Sequence, residues 1–306
     1  MATTTLSETQ PTGFNLGSSI GDALRAIVNF FRENWLFTLG LTMLVVLYAF
    51  GAIGSIIVDP DRADMGANPL ALPPSLEHPL GTEGFGRDVF TLMVLGIPNT
   101  FKIGLLAGGV GVAIGSLIGL FSGYYKGTLD TIFSSFADVM LVIPALAILI
   151  TISAYVRVMT VEVMAIIVGL LAWPLPARLI RAQTLSLRER LFVAVAKLSG
   201  QTDLEIMFRQ ILPNLTAYLA AAFVGGVSVG ILAAVGLEVL GLGPQTIPTI
   251  GRTLFHSFQY SAMFRGMWWW WTPPIFTLAI IFAGLFFMSV SLDKFANPRL
   301  KGNMSG

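Results

Sequence analysis

The chain has 306 residues, of which 55% are hydrophobic and 11% charged. That leaves too little polar surface for an exterior wholly in water, so a lipid-facing surface is expected. A net charge of +1 gives no basic footprint for nucleic acid and no acidic tail for a cationic partner. With no cysteine and two isolated histidines, His78 and His256, disulfides, thiolate zinc sites and iron–sulfur clusters are excluded and no metal site is expected.

The N-terminal stretch MATTTLSETQPTGFNLGS lacks the basic start and apolar run of a cleavable signal, so insertion is expected to rely on the first hydrophobic span. Residues 1–34 read as a cytoplasmic tail. Within it, residues 20–34 place Ala23, Ile27, Phe30 and Phe31 near one face, as in an interfacial amphipathic helix or an extension of the first span. Hydropathy predicts six spans, near 35–58, 100–124, 132–155, 160–180, 215–241 and 272–292. The membrane core is thus 100–292, and 293–306 is a second cytoplasmic tail. With both termini inside, inside segments carry twelve Lys and Arg against six outside, which favours cytoplasmic termini.

The external loop 59–99 contains Pro60, Pro69, Pro73, Pro74 and Pro79, which argue against one regular element and for a folded cap or lid. Its segment 78–89, HPLGTEGFGRDV, offers turn glycines at Gly81, Gly84 and Gly86 and local pairing among Glu83, Arg87 and Asp88. A structural turn around His78 and Thr82 and a contact for an external partner are both open. The second span carries Gly104, Gly108, Gly111, Gly115, Gly119 and Gly123, a stripe for close backbone approach, either within one bundle or to a moving neighbour. In the third span, Asp138 is an ionisable group in an apolar run, a candidate for the translocation path or for a hydrogen bond at the cytoplasmic interface. Pro144 should kink that helix.

The cytoplasmic segment 178–214 is too long for a connector, and its coupling portion is assigned to 181–214. A short basic helix is expected over 187–198, a break at Gly200, and a second helix capped by Asp203 and ending at Pro213. Phe192, Val193, Leu204, Ile206, Met207 and Phe208 would lie at the membrane edge without burial, making a docking surface. In the fifth span, Glu238 lies near the outer end, as a candidate outer gate, an attractor of a cationic group, or an interfacial residue. Residues 268–271, WWWW, suit the headgroup layer or, more sharply, stacking on a sugar. No GxxxxGK[ST] loop, HExxH pair or nucleophile arrangement is present, so the chain is not expected to be an enzyme. Nor are the inverted repeats of an ion-coupled secondary transporter visible.

Ala194, Val195, Ala196, Gly200, Leu212 and Pro213 stand at the offsets of the cytoplasmic loop of binding-protein-dependent ABC importer permeases, a family this sequence resembles. Segments 78–89, 172–190 (AWPLPARLIRAQTLSLRER) and 240–252 (LGLGPQTIPTIGR), with Asp293, Pro298 and Arg299, extend the resemblance over about 20–301. They narrow it to the second permease subunit of oligopeptide, dipeptide or nickel systems. The resemblance implies an all-α membrane protein: six transmembrane helices of the type I importer fold, an N-terminal amphipathic helix and a coupling-helix loop. It further implies a plasma-membrane location, a second homologous permease, two ATP-binding subunits that hold ATP and magnesium, and an extracytoplasmic solute-binding protein. No cofactor is implied in this chain. Residues 202–210, including Thr202, Asp203, Leu204, Glu205, Met207 and Phe208, would dock on the ATPase. Ala194 departs from the family's glutamate, for which Glu189 is a possible substitute. The family's acidic residue in the fifth span falls at Ala234, one turn before Glu238. Peptides lead as substrates, with oligosaccharides and metal chelates as alternatives.

Overall fold

The computed structural model describes residue 25 and residues 28–296. Among these the fold is helical, with a single isolated bridge between Thr82 and Asp88. Helix α1 is Trp35–Ile57, α2 Val89–Tyr125, α3 Gly127–Val142, α4 Ala145–Tyr155, α5 Val161–Ala172, α6 Pro174–Leu187 and α7 Leu191–Leu198. A short turn Asp203–Glu205 passes through a π segment Ile206–Ile211 and a 3₁₀ turn Leu212–Leu215 into α8, Thr216–Val239. Helix α9 is Ile250–Gln259 and α10 is Trp268–Ala296. Four helical stretches are long and apolar enough to cross a bilayer, and two bent pairs bring the total to six. Residues 28–33 are helical; the rest of the expected interfacial helix, and Pro298 and Arg299, lie outside the described residues.

Several boundaries differ from the hydropathy reading. Helix α2 begins at Val89, so residues 89–99 are helical rather than loop. The cause is local: the Asp88 carboxylate accepts from the Thr91 amide at 2.8 Å and caps the helix, while Asn99, Thr100 and Lys102 dilute the apolar signal. The third span is two helices bent by 85° at Pro144, which serves as the N-cap residue of α4. The fourth continues to Leu187 through a 43° bend, with Pro174 and Pro176 in the first turn of α6. Residues 181–187 thus continue α6, where Arg181 is bound to Asp130, its Nη2 lying 2.7 Å from Oδ2.

Helix α2 is the axis of the bundle, and its glycine stripe is filled from within the chain. A Cβ at Gly108 would stand 2.7 Å from the Val227 amide of α8, and one at Gly119 would stand 2.5 Å from the Ala177 carbonyl of α6. Close packing inside one bundle thus occupies the stripe. The apolar core falls into one cluster around Ile97, Ile231, Ile250, Trp270 and Ile281, a second around Met164, Ala165 and Leu237, and a third around Tyr124, Ile180, Ile206 and Met207.

Loop 59–88 is a compact cap. Backbone bonds tie Gly66 to Phe85, Asn68 to Gly86 and Thr82 to Leu72 at 2.8–3.0 Å. The Thr82 hydroxyl donates to the Pro69 carbonyl at 2.6 Å, and the indole of Trp269 donates to the Thr82 carbonyl at 3.1 Å. The tryptophan run forms the first turn of α10, with Trp270 fully buried and Trp268 exposed. Trp268, Trp269 and Trp270 therefore meet the exterior, the cap and the core in turn, since consecutive helical residues point in different directions.

Candidate functional site

The surface formed by residues 188–215 begins with local chain chemistry. Helix α7 ends in a Schellman arrangement, with Gly200 NH bonded to Lys197 O at 3.0 Å and Gln201 NH to Ala196 O at 3.2 Å. Gly200 has φ +78°, and no atom lies within 4 Å of where its Cβ would be, so glycine is required there by backbone conformation rather than by space. The next turn is capped by Thr202, not by Asp203. Thr202 and Glu205 form a reciprocal capping box, in which the Glu205 carboxylate accepts from the Thr202 amide at 3.0 Å. Asp203 is thereby free to accept from the Tyr124 hydroxyl at 2.6 Å, which links the turn to the end of α2. Lys197 lies over the Tyr124 ring at 5.3 Å, and Arg188 donates to the Tyr124 carbonyl. Nothing in the residue spacing singled out Tyr124; an aromatic pair closing a long span was its only trace.

The six apolar residues expected to lack burial divide evenly. Val193, Ile206 and Met207 are buried against Leu120, Ile180, Ile211 and Leu215, because α7 and the π segment each carry a second apolar face. Phe192, Leu204 and Phe208 are exposed, as are Leu191, Val195, Leu198 and Ala194. Leu191, Phe192, Val195, Gln201 and Gln210 line a shallow groove of about 450 Å³. The π segment precedes Pro213, which has no amide to donate and whose ring crowds the preceding turn. Ala196 is buried and Pro213 exposed. Glu189 pairs with Lys126 at 3.1 Å and Arg188 at 3.2 Å, and this engagement opposes its use as the missing family glutamate. The expected helix over 187–198 is confined to α7, because Arg190 is extended.

The path candidates are not brought together. Asp138 of α3 pairs with Arg178 of α6, both more than half exposed, beside a polar cavity of about 230 Å³ between α2, α3 and α6. Pro144 marks the 85° bend. Glu238 is only 2% exposed, which rules out the interfacial reading. It is enclosed by Gly243 and Gly251, where a Cβ would collide with its side chain. The LGLGPQTIPTIGR turn thus folds over Glu238.

In the cap, His78 Nδ1 lies 2.7 Å from Asp88 Oδ2 with both side chains buried, and Arg87 pairs with Glu83, also buried. Gly81 and Gly86 have φ +66° and +74°. Burial pushes the Glu83 carboxyl above its ordinary range, against the pull of Arg87. His256 of α9, near Arg87 and Arg252, is pushed down to about 4, chiefly by burial. Among the described residues no group of three or more acidic, His or Cys residues could hold a metal.

The family of binding-protein-dependent transport system inner membrane components matches residues 115–302. Curated relatives extend the similarity over most of the chain. The dipeptide transport system permease protein DppC of Alkalihalophilus pseudofirmus is 29% identical over 271 residues, 88% of each protein. The oligopeptide transport system permease protein OppC of Lactococcus lactis subsp. cremoris is 28% identical over 269 residues, 86% of this chain and 88% of the relative. A putative peptide transport system permease protein of Brucella suis is 30% identical over 268 residues, 87% and 88% respectively.

Proposed function

Since the chain belongs to the family of binding-protein-dependent transport system inner membrane components, we propose that it is one of two non-identical permease subunits of an ATP-driven importer of short peptides. The observation that carries this reading is the cytoplasmic surface. Leu191, Val195, Leu198, Leu204 and Phe208 are held outward by a buried layer beneath them and leave an apolar patch for a protein partner. In this reading two ATPase subunits dock there and hold ATP and magnesium, so the chemistry lies outside this chain. Apolar contact replaces the charge that the family usually places at Ala194. The second permease covers the exposed apolar faces of α3, α4 and α8, among them Ile132, Phe136, Val139 and Leu232. A solute-binding protein delivers peptide at the cap, both termini face the cytoplasm, and ATP binding turns the bundle from inward-facing to outward-facing. The peptide assignment is supported by the names of the relatives.

The test is uptake into vesicles holding the two permeases, with and without the ATPases and binding protein. Accumulation of a labelled di- or oligopeptide only with ATP and all components is expected. Uptake without the ATPases would sink the proposal, and uptake of oligosaccharide or metal chelate instead of peptide would move the substrate class.

A further inference from the structure

Between the turn after α1, the base of α2 and the loop before α9 lies an external cavity of about 370 Å³, lined by Pro60, Asp64, Met65, Arg87, Gln245 and Arg252 among others. Its charges are unusually short of partners. Arg87 is 4% exposed; its Nε is satisfied by Glu83, but its Nη2 is shielded from solvent and has no acceptor. Half-buried Arg252 has an equally unsatisfied Nε, and among the described residues no carboxylate lies within 4.0 Å of its guanidinium. Asp64, exposed at the rim, is likewise without an ion pair among the described residues. Buried donors left open in this way carry a desolvation cost that an incoming acceptor would remove.

We propose that this cavity receives the C-terminal carboxylate of a short peptide, bound by the half-buried Arg252 with the Arg87 guanidinium behind it, and with Asp64 supplying the counter-charge for the ammonium end. Two guanidinium groups suit a carboxylate because their planar donors match its two oxygens. The volume lies at the small end of ligand pockets, which fits a peptide of two or three residues. Burial and then the neighbouring Arg87 disfavour the charge on Arg252, Glu83 and Glu238 partly offset them, and a bound carboxylate would add to that offset. The site deepens the importer reading and rests on it.

The test uses the permease pair with its ATPases in nanodiscs, without binding protein, so that discrimination by the latter does not intervene. The probe is alanyl-p-benzoylphenylalanine at millimolar concentration, as free acid and as C-terminal amide, photolysed and mapped. The free acid should label residues 60–65 or 245–252 about tenfold more than the amide, the loss expected for one charge-assisted hydrogen bond. Arg252→Met should bring the acid down to the amide level, and Arg252→Lys should retain part of the difference. Equal labelling of acid and amide, labelling only elsewhere, or labelling insensitive to Arg252→Met would overturn the site. ATP-driven uptake of the free acid by complete wild-type vesicles tests the importer reading by itself. Uptake without an acid–amide difference in labelling sinks the site alone, whereas absence of ATP-driven peptide uptake sinks both.

Discussion

Leu204, Met207 and Phe208 sit within one turn and a half of each other and face different surroundings. Met207 is wholly buried, whereas Leu204 and Phe208 are 53% and 42% exposed. Aspartate at position 207 would place a charge in the apolar cluster around Tyr124, Ile180 and Ile206, at a cost of several kcal/mol. Met207→Asp should therefore deplete the protein from the membrane, seen as lost yield on an immunoblot. Leu204→Asp with Phe208→Asp should leave yield unchanged and abolish uptake while ATP hydrolysis continues. Normal uptake by the double variant would contradict the docking surface. His256 lends itself to a pH measurement. Its folded value of about 4 lies below the usual ~6.5 of an unfolded imidazole, so the unfolded chain binds the extra proton first. Its stabilising share is complete above about 6.5 and is lost as pH falls towards 4. Glu83, raised by burial, acts with the opposite sign, its share present at low pH and lost as pH rises. Arg87 and Arg252, with the Phe85 and Tyr260 rings, complete the surroundings of His256. His256→Gln should give a smaller drop in melting temperature between pH 7.5 and pH 5 than wild type; identical drops would remove His256 as the cause.

Among the elements, α2 and the turn at residues 203–205 are linked by the side-chain bond from Tyr124 to Asp203, beside the packing of Leu120 and Tyr124 with Ile206 and Met207. Tyr124→Phe removes that bond and keeps the ring beneath Lys197, costing about 1 kcal/mol. Uptake per ATP hydrolysed should fall while the amount of assembled transporter holds, measured by both rates on the same vesicles. How far such elements were legible in the sequence follows from their chemistry. The break at Gly200 and the kink at Pro144 were readable, since each residue imposes a backbone constraint of its own. The 85° angle at Pro144 was not, because it depends on what α4 packs against. Residues 89–99 were misread because hydropathy averages over a window, although Asp88 and Thr91 already spelled a cap. The burial of Val193 and Ile206 escaped for another reason: apolar residues on two faces of a short helix do not announce which face turns inward. Glu238 was legible as an oddity, but its enclosure comes from glycines at 243 and 251, which local patterning cannot fold back onto it.

For the molecule as a whole, orientation in the bilayer is open to direct measurement, because the absence of native cysteine makes every introduced thiol background-free. Ser261→Cys in the exposed turn after α9 should react with an impermeant maleimide from outside intact cells, and Ser199→Cys only after the membrane is opened. The reverse pattern would invert the topology. Helix α2, finally, runs unbroken for 37 residues from the capped Asp88 to the Tyr124 end. At 1.5 Å per residue it is roughly 55 Å long, against a hydrocarbon core of about 30 Å. A rod so much longer than the hydrocarbon core behaves as a lever pivoted by the lipid. Tilted by roughly 10° about its midpoint, a rod of that length carries its two ends about 5 Å in opposite directions. The residues around the Arg87 cavity and those around Tyr124 would then move in the same instant without any intervening relay, so that opening on one side of the membrane is, geometrically, a displacement on the other.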